Sequence, residues 1–206
     1  MPSLPCRDVW LQTASHGVFR YGDPADSTYT IADIARSLSL QPRFLGHSSR
    51  FLSVAEHSLM VLAIVQCMIP NCDQLLAVHA LLHDAHEAFT GDIPSPFKQW
   101  LKRRWGVNID SAQQQLQCSI LQRLNIAPLD AEGQGTITIA DAYALKLERD
   151  LFCNSQHVWE IDAVSVPRAI AELANLYHKR NTIPRIATLF LTRYRELIRE
   201  VRSVHV

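Results

Sequence analysis

From about residue 30 onward, apolar residues recur at helical spacing, and few segments alternate in the way a half-buried strand would. Thr30 followed by Asp33 matches a capping box at the start of a short helix. Ser53 with Glu56 forms a second capping box, which opens the apolar helix VAEHSLMVLAIVQCM, and Pro70 predicts its end. The pattern predicts an all-α fold.

The next apolar stripe predicts one continuous helix over QLLAVHALLHDAHEAF, residues 74–89, which Gly91 stops. Ser95 at the cap and Pro96 at the first helical position then predict a helix through KQWLKRRW that ends at Gly106. Further helices are predicted at about 110–125, 137–153, 166–179 and 184–203, of which those within residues 166–203 are C-terminal packing helices.

Residues 1–29 are the least regular part of the sequence, where Gly17, Gly22 and Pro24 predict turns or a short hairpin. No repeat, low-complexity tract or dividing linker interrupts the chain. Its 206 residues, 48% of them hydrophobic, suffice for one sizeable core. We therefore expect a single domain over residues 1–206.

Charge and cysteine content limit the classes of function. Lys and Arg total 20, and so do Asp and Glu, so no whole-molecule basic field attracts long nucleic acid or an anionic membrane. The N-terminal residues show neither a membrane-spanning stretch nor a leader pattern, and the five cysteines form no CxxC pair. These features predict a cytoplasmic protein with reduced cysteines that binds any anionic substrate locally.

His83 and Asp84 are adjacent in an otherwise apolar helix, where a buried carboxylate is costly unless something compensates its charge. A divalent metal is one such partner, and two more ligands are then expected from other helices. His57 and Asp141 are the best candidates, because each lies in apolar surroundings without an obvious polar partner in its own helix. A hydrogen-bonded His–Asp pair is one alternative, and a zinc pair of His79 with His83 is another.

Three segments carry a family resemblance: Glu56-His57-Ser58, the run HDAHEAFTGDIPSPFK over residues 83–98, and Ala140-Asp141-Ala142. They resemble the YfbR-like 5′-deoxynucleotidases of the HD-domain phosphohydrolase superfamily, which are related to phage HD dATP triphosphohydrolases. The opening WLQT and the stretch PRFLGHSSRFLSVAEHS also look like HD hydrolases, so the resemblance covers roughly residues 8–153. It implies an all-α HD-domain helical bundle, a homodimer, and the metal ligands His57, His83, Asp84 and Asp141.

The resemblance also implies roles for polar residues near these ligands. Glu87 and Asp92 match acidic positions that serve catalysis, as the general acid or base of phosphoester hydrolysis. The segment from Asp92 to Ser95 is expected to touch the substrate phosphate, together with the N–H groups of the helix start. Arg43 is expected to clamp that phosphate, and Phe44 beside it is a substrate-binding residue where the family has tryptophan.

Three further residues near these motifs are weighed as alternatives. Arg50 is a second candidate for the phosphate clamp. His47 and His86 could supplement the site, but we leave both out as ligands, since a chain with nine histidines includes several without a special role.

Two imidazoles and two carboxylates suit one divalent metal ion, and Co, Mn, Zn, Ni and Fe are all compatible with them. The resemblance implies hydrolysis of deoxynucleoside 5′-monophosphates to deoxynucleoside and phosphate. The enzymatic alternative is a deoxynucleoside triphosphate triphosphohydrolase, acting on substrates such as dATP and releasing tripolyphosphate. A non-catalytic module that binds metal or nucleotide is an alternative of another class, and the presence of every candidate ligand and both acids argues against it.

Overall fold

The computed structural model describes residues 9–154, 156–178 and 183–203, and within them the fold is an all-α bundle with one small hairpin. The helices are α1 Ile31–Leu40, α2 Val54–Met68, α3 Gln74–Leu82, α4 Glu87–Thr90, α5 Ser95–Trp105, α6 Ile109–Arg123, α7 Ala131–Phe152, α8 Arg168–Glu172 and α9 Ile183–Ser203. Short 3₁₀ segments lie at Pro24–Asp26, Arg43–Gly46, Glu160–Ala163 and Leu173–His178. The predicted fold class is confirmed.

Both predicted capping boxes are present. The hydroxyl of Thr30 accepts a hydrogen bond from the Asp33 amide, while the Asp33 carboxylate accepts one from the Thr30 amide. Ser53 and Glu56 make the same reciprocal pair at the start of α2, which spans the predicted residues. Each box satisfies N–H groups that a helix start otherwise leaves unpaired.

The centre of the bundle is α2. Its sequence is apolar on nearly all faces, which is typical of a helix buried on all sides. It packs against α1, α3, α7 and α9, and most of its residues are buried in the hydrophobic core. A polar side chain on this helix therefore needs a partner from a neighbouring helix, and His57 is such a side chain.

The N-terminal segment contains the predicted hairpin, formed by antiparallel strands β1 Trp10–Gln12 and β2 Val18–Arg20. Phe19 on β2 is fully buried and stacks on Phe89 of α4, with ring centroids 3.9 Å apart. The Tyr21 hydroxyl donates to the Phe89 carbonyl. The hairpin thus covers and anchors the short helix α4.

The predicted continuous helix over residues 74–89 is wrong, because α3 ends at Leu82 and α4 begins only at Glu87. The amide of Gln117 on α6 lies between the two halves: its Nε2 donates to the Leu82 carbonyl (2.6 Å), and its Oε1 accepts from the His86 amide (3.0 Å). An unbroken helix would pair these two backbone groups with each other. The intervening residues instead form tight turns with 3₁₀-type bonds, such as Glu87 N–H to the Asp84 carbonyl.

Three other boundaries differ from the predictions. Pro94 occupies the cap position of α5 and Ser95 is its first helical residue, so the Ser95 side chain is not the cap. Helix α7 begins at Ala131 rather than near residue 137, because the Asp130 side chain caps it by accepting from the Gly133 amide. The predicted helix over 166–179 is the short α8 followed by a 3₁₀ segment.

Among the described residues, no helix combines the length and the apolar composition needed to cross a membrane.

Candidate metal centre

The four residues predicted as metal ligands lie together at one end of α2. The Nε2 atoms of His57 and His83 are 3.3 Å apart. An Asp141 oxygen lies 3.0 Å from the His57 Nε2, and an Asp84 oxygen lies 3.1 Å from the His83 Nε2. The ring nitrogens and carboxylate oxygens therefore converge on one small volume, and the role of these residues as ligands stays a prediction.

Three helical segments bring these side chains together. His57 is on α2, Asp141 is on α7, and both helices pack against α3, which ends just before His83 and Asp84. His83 and Asp84 lie in the break that the Gln117 amide holds open. Gln117 was not identified from the sequence, because a half-buried glutamine on a polar helix gives no signal of its own.

Hydrogen bonds fix both imidazoles with Nε2 facing the cluster. The Nδ1 of His57 donates to Glu148 Oε1 (2.9 Å), and the Nδ1 of His83 donates to the Ala80 carbonyl (3.0 Å). Metal-binding histidines characteristically donate their second ring N–H in this way, which leaves the other nitrogen as a lone-pair ligand. Two oriented imidazoles and two carboxylates fit a divalent metal ion, although its identity is not set by this donor set.

Glu148 is a buried residue of the candidate site that the sequence analysis missed. It is fully buried on α7, where its Oε2 accepts from the Nε (3.3 Å) and Nη2 (3.1 Å) of Arg43. The sequence did contain a pattern that indicates Glu148. Residues 141 and 148 are two helical turns apart, so Glu148 lies on the same face of the helix as Asp141. A glutamate on that stripe, beside the apolar Leu147, requires a buried partner.

The charges of the cluster stabilise one another. Burial acts to raise the pKa of Asp84, but the nearby His83 and His57 hold it far below its ordinary value. The pKa of Asp141 is likewise lowered, since the hydrogen bond and charge of His57 outweigh burial. Burial and Arg43 act to lower the pKa of His57, yet Glu148 and Asp141 raise it overall. These interactions favour the ionised forms of both carboxylates.

Glu87 and Asp92, the two predicted catalytic acids, lie at the edge of the cluster. The Oε2 of Glu87 is buried without a hydrogen-bond partner among the described residues. Burial, reinforced by the charges of Asp84 and Asp92, raises the pKa of Glu87 well above its ordinary range. The pKa of Asp92 is also raised, mainly by burial, even though Arg43 lies 3.6 Å from its carboxylate. A protonated carboxyl group at neutral pH is what a general acid requires.

The segment between α4 and α5 places Asp92 beside Arg43. Gly91 at the end of α4 has a φ of 81°, which a residue with a side chain rarely adopts. Helix α4 ends at this residue, and the carboxylate of the next residue, Asp92, lies 3.6 Å from Arg43 Nη1.

The predicted substrate-binding residues occupy different positions around the cluster. Arg43 is buried, with two nitrogens on Glu148 and Nη1 directed toward Asp92. The half-buried Phe44 ring packs against the ring of Trp159, with centroids 6.1 Å apart. Ser95 is exposed in the first turn of α5 and, in the part of the chain described here, makes no hydrogen bond to the cluster.

The alternatives raised from the sequence lie elsewhere. The Nε2 of His79 donates to the Ala127 carbonyl (2.8 Å), so His79 is a hydrogen-bonded core residue rather than half of a zinc pair. Arg50 pairs with Glu56 at 3.1 Å, at the start of α2, which does not favour it as the phosphate clamp. His47 is exposed in the loop before α2. His86, which the sequence analysis set aside, lies with Asp84 and Glu87.

Comparison with known proteins identifies the family. A family model described as 5′-deoxynucleotidase YfbR-like matches residues 45–124. The uncharacterised protein YfdR of Escherichia coli strain K12 is 31% identical over 153 residues, which span 74% of this chain and 78% of YfdR. The chain belongs to the YfbR-like family of the HD superfamily. An uncharacterised protein of Rhodobacter capsulatus is 27% identical over 182 residues, covering 87% of this chain and 90% of that relative.

The family resemblance predicted from the sequence is confirmed, and the bundle is an HD fold of a hydrolase family. The range matched by the YfbR-like model contains His57, His83, Asp84, Glu87 and Asp92. Asp141 and Glu148 lie beyond that range, so their position beside the cluster is a finding of the structure.

Proposed function

We propose that this protein is a metal-dependent phosphohydrolase that converts deoxynucleoside 5′-monophosphates to deoxynucleoside and inorganic phosphate. The observation that carries the proposal is the convergence of two oriented imidazoles and two carboxylates beside a buried, unpaired glutamate and a buried arginine. One site then contains ligands for a metal ion, a carboxyl group that can transfer a proton, and a cation that can bind phosphate.

The metal would be held by four side chains: His57, His83, Asp84 and Asp141. When bound, a divalent ion lowers the pKa of a water molecule and neutralises phosphate charge. Glu148 keeps the His57 ring in the orientation that directs Nε2 at the ion, and the Ala80 carbonyl does the same for His83. We expect Co, Mn, Zn, Ni or Fe, because each accepts nitrogen and oxygen ligands.

Arg43 and the two acids at the edge of the cluster would handle the phosphate and the protons. The Nη1 of Arg43 is directed toward Asp92 rather than toward Glu148, so it is the donor available to a phosphate oxygen. Glu87 or Asp92, whose raised pKa values favour the protonated form, would donate a proton to the leaving 5′-oxygen. The acid that remains ionised would accept a proton from the attacking water.

The surroundings of Lys98 favour a monophosphate over a triphosphate. A triphosphate carries more charge than a single arginine can balance, so it requires further cations. Lys98 is the nearest candidate along the chain, but its ammonium binds Asp110 (2.8 Å) and Gln113 (3.2 Å) instead. Lys102 and Arg103 are exposed further along α5.

The test is incubation of the purified protein with dAMP and dATP in the presence of Mn, Co, Ni, Zn or Mg, with chromatography of the products. We expect deoxyadenosine and phosphate from dAMP. Tripolyphosphate from dATP, with dAMP left intact, would instead establish the triphosphohydrolase alternative. No turnover of any nucleotide with any of these metals would support a binding module.

A further inference from the structure

Helix α5 presents three aromatic side chains to solvent. The exposed fraction is 49% for Phe97, 50% for Trp100 and 57% for Trp105, and α5 has no buried residue. A surface helix normally directs its aromatic side chains into the core, so three neighbouring exposed rings indicate an interaction surface. The proposed metal centre and hydrolysis use none of these three residues.

The three rings form one cluster. The rings of Phe97 and Trp100 are stacked with centroids 5.6 Å apart, and the rings of Trp100 and Trp105 meet edge to face at 4.4 Å. These contacts hold the rings in place before any partner binds. An aromatic surface that is already ordered loses little conformational entropy on binding, which favours the association.

A run of three basic residues, Lys102, Arg103 and Arg104, lies on the same helix and is exposed. Among the residues that the structure describes, none of the three forms an ion pair with a carboxylate. The Arg104 guanidinium lies instead over the ring of Trp105, 6.0 Å from its centroid. The aromatic cluster thus adjoins positive charge that no acidic side chain neutralises, and this charge suits an anionic partner.

The order of these residues around the helix favours a nucleic-acid strand over a membrane surface. At about 100° per residue, Arg104 falls between Phe97 and Trp100 around the helix axis, so a cation interrupts the aromatic face. A helix that lies in a membrane separates its charges from its apolar face, because a cation among lipid chains is costly. Single-stranded nucleic acid needs the two kinds of side chain mixed, since its bases stack on aromatic rings and its phosphates bind nearby cations.

A second copy of the chain is a poorer partner for this surface. A two-fold interface buries the same patch on both subunits, so a dimer across α5 would place two basic runs against each other. Such like-charge contacts oppose association. The chain as a whole has no net charge, so attraction for an anionic strand would come from the α5 surface alone. The contact is therefore expected to cover a short stretch of strand and to weaken with salt.

We propose that α5 binds a short stretch of single-stranded nucleic acid. Phe97, Trp100 and Trp105 stack on its bases, while Lys102 and Arg103 bind its phosphates. The inference does not depend on the proposed hydrolysis, because it uses neither the metal ligands nor the two acids of that site.

The test is fluorescence anisotropy of a labelled oligothymidylate of about 12 nucleotides without a terminal phosphate, titrated with the protein in the presence of EDTA. The chelator and the missing phosphate prevent binding through the proposed metal centre. Wild type should bind the strand, and Trp100→Ala should weaken binding by about 10-fold or more. The matched control is Trp10→Ala on β1, a tryptophan of similar exposure (54%), which should bind as wild type does.

Oligouridylate of the same length distinguishes RNA from DNA, and binding of either strand supports the proposal. The charge contribution is measured by repeating the titration between about 50 and 200 mM salt. Arg103→Ala should reduce the slope of log affinity against log salt by about 0.7, because one phosphate contact is lost. Arg185→Ala, at an exposed position on α9, should leave that slope unchanged.

Binding of neither strand at low salt would overturn the proposal. Equal affinity in wild type and Trp100→Ala would also overturn it, as would an equal loss in the Trp10→Ala control. If anionic phosphatidylglycerol vesicles bound wild type while both strands did not, the surface would belong to a membrane contact. A dimer that Trp100→Ala dissociates, without strand binding, would assign the surface to a second copy. Phosphate release from dAMP is measured separately, so either proposal can fail while the other stands.

Discussion

Glu148 joins His57 to Arg43 through its two carboxylate oxygens. Oε1 accepts from the His57 Nδ1 at 2.9 Å, and Oε2 accepts from the Arg43 Nη2 at 3.1 Å. One fully buried carboxylate therefore orients a proposed metal ligand and neutralises the proposed phosphate clamp at the same time. Metal binding and phosphate binding should respond together to a change at this residue.

Glu148→Gln keeps the size of the side chain but removes its charge. We expect metal affinity to fall by about 10- to 100-fold, because the His57 ring loses its charged acceptor. The KM for dAMP should rise as well, since Arg43 loses the partner that positions it. Metal titration and steady-state kinetics measure the two effects, with exposed Glu132→Gln on the same helix as the control. A normal metal affinity would contradict the orienting role of Glu148.

Asp84→Ala tests the metal centre itself. The change removes a proposed ligand that lies 3.1 Å from the His83 Nε2, so bound metal and activity should fall together. Elemental analysis of the purified variant measures the first effect, and phosphate release from dAMP measures the second. Asp23→Ala, at an exposed position in the N-terminal segment, is the control. Full metal occupancy in Asp84→Ala would remove Asp84 from the ligand set.

Glu87→Gln separates proton transfer from metal binding. The ion held by His57, His83, Asp84 and Asp141 should remain, while turnover should fall by about 10²-fold or more because a proton-transfer group is lost. The kcat for dAMP and the affinity for the metal ion are the measurements. Unchanged turnover in Glu87→Gln would assign proton transfer to Asp92 alone. If Asp92→Asn were also harmless, the proposed acid–base scheme would be wrong.

Gln117→Met tests how the helix break is held open. The variant leaves the Leu82 carbonyl and the His86 amide without their side-chain partner, which should lower the free energy of unfolding by about 1–3 kcal/mol. Hydrogen exchange at the His86 backbone amide should also become faster, because that N–H loses its acceptor. Urea unfolding and hydrogen exchange check the two effects, with Gln115→Met on the exposed face of α6 as the control. Equal stability and exchange in both variants would mean that the break forms without Gln117.

Asp33 ties the hairpin turn to α1, because its carboxylate accepts from the amide and hydroxyl of Ser15 (2.7 Å each) and from the Thr30 amide (2.8 Å). Burial acts to raise the pKa of Asp33, but these hydrogen bonds outweigh it and lower the pKa. Its stabilisation is therefore present above the ordinary pKa of about 3.9 and lost as pH falls through the lower folded value. Asp33→Asn should be less stable by about 1–2 kcal/mol at pH 7.

The free energy of unfolding of wild type and of Asp33→Asn, measured at several pH values, checks this prediction. The stability gap between wild type and Asp33→Asn should narrow toward the acid limit, because protonation of Asp33 removes the same charged acceptor. A gap that stays constant down to about pH 2, below the ordinary pKa, would mean that ionisation of Asp33 does not stabilise the fold.

Local signals in the sequence were enough to predict much of the fold. The capping box of Ser53 with Glu56 and the apolar run after it predicted α2 with its observed ends. The grouping of His57 and Asp141 with the His83-Asp84 pair was also predictable, because a buried polar group in an apolar helix needs a partner from outside that helix. These inferences use only hydrophobic spacing and the cost of burying charge.

Features that depend on tertiary contacts could not be predicted in the same way. The helix over residues 74–89 has the periodicity of an unbroken helix, and its interruption comes from the Gln117 side chain on α6. The early start of α7 was missed because Gly133 and Gly135 lower helix propensity, which the Asp130 cap and the packing of the helix override. Arg43 was assigned to phosphate alone, since nothing local reveals its pairing with Glu148.

Helix α7 also sets the order in which the site can be completed during synthesis. It supplies both Asp141 and Glu148, after every other residue of the site has been made. A nascent chain that ends within α6 already contains His57 and Arg43 but lacks Glu148, the buried carboxylate that binds both. The core around α2 would then have to enclose these two side chains without that partner, which is unfavourable. The ribosome must therefore release α7 before this end of the bundle can close, so a metal ion held by the proposed ligands would be bound late in folding.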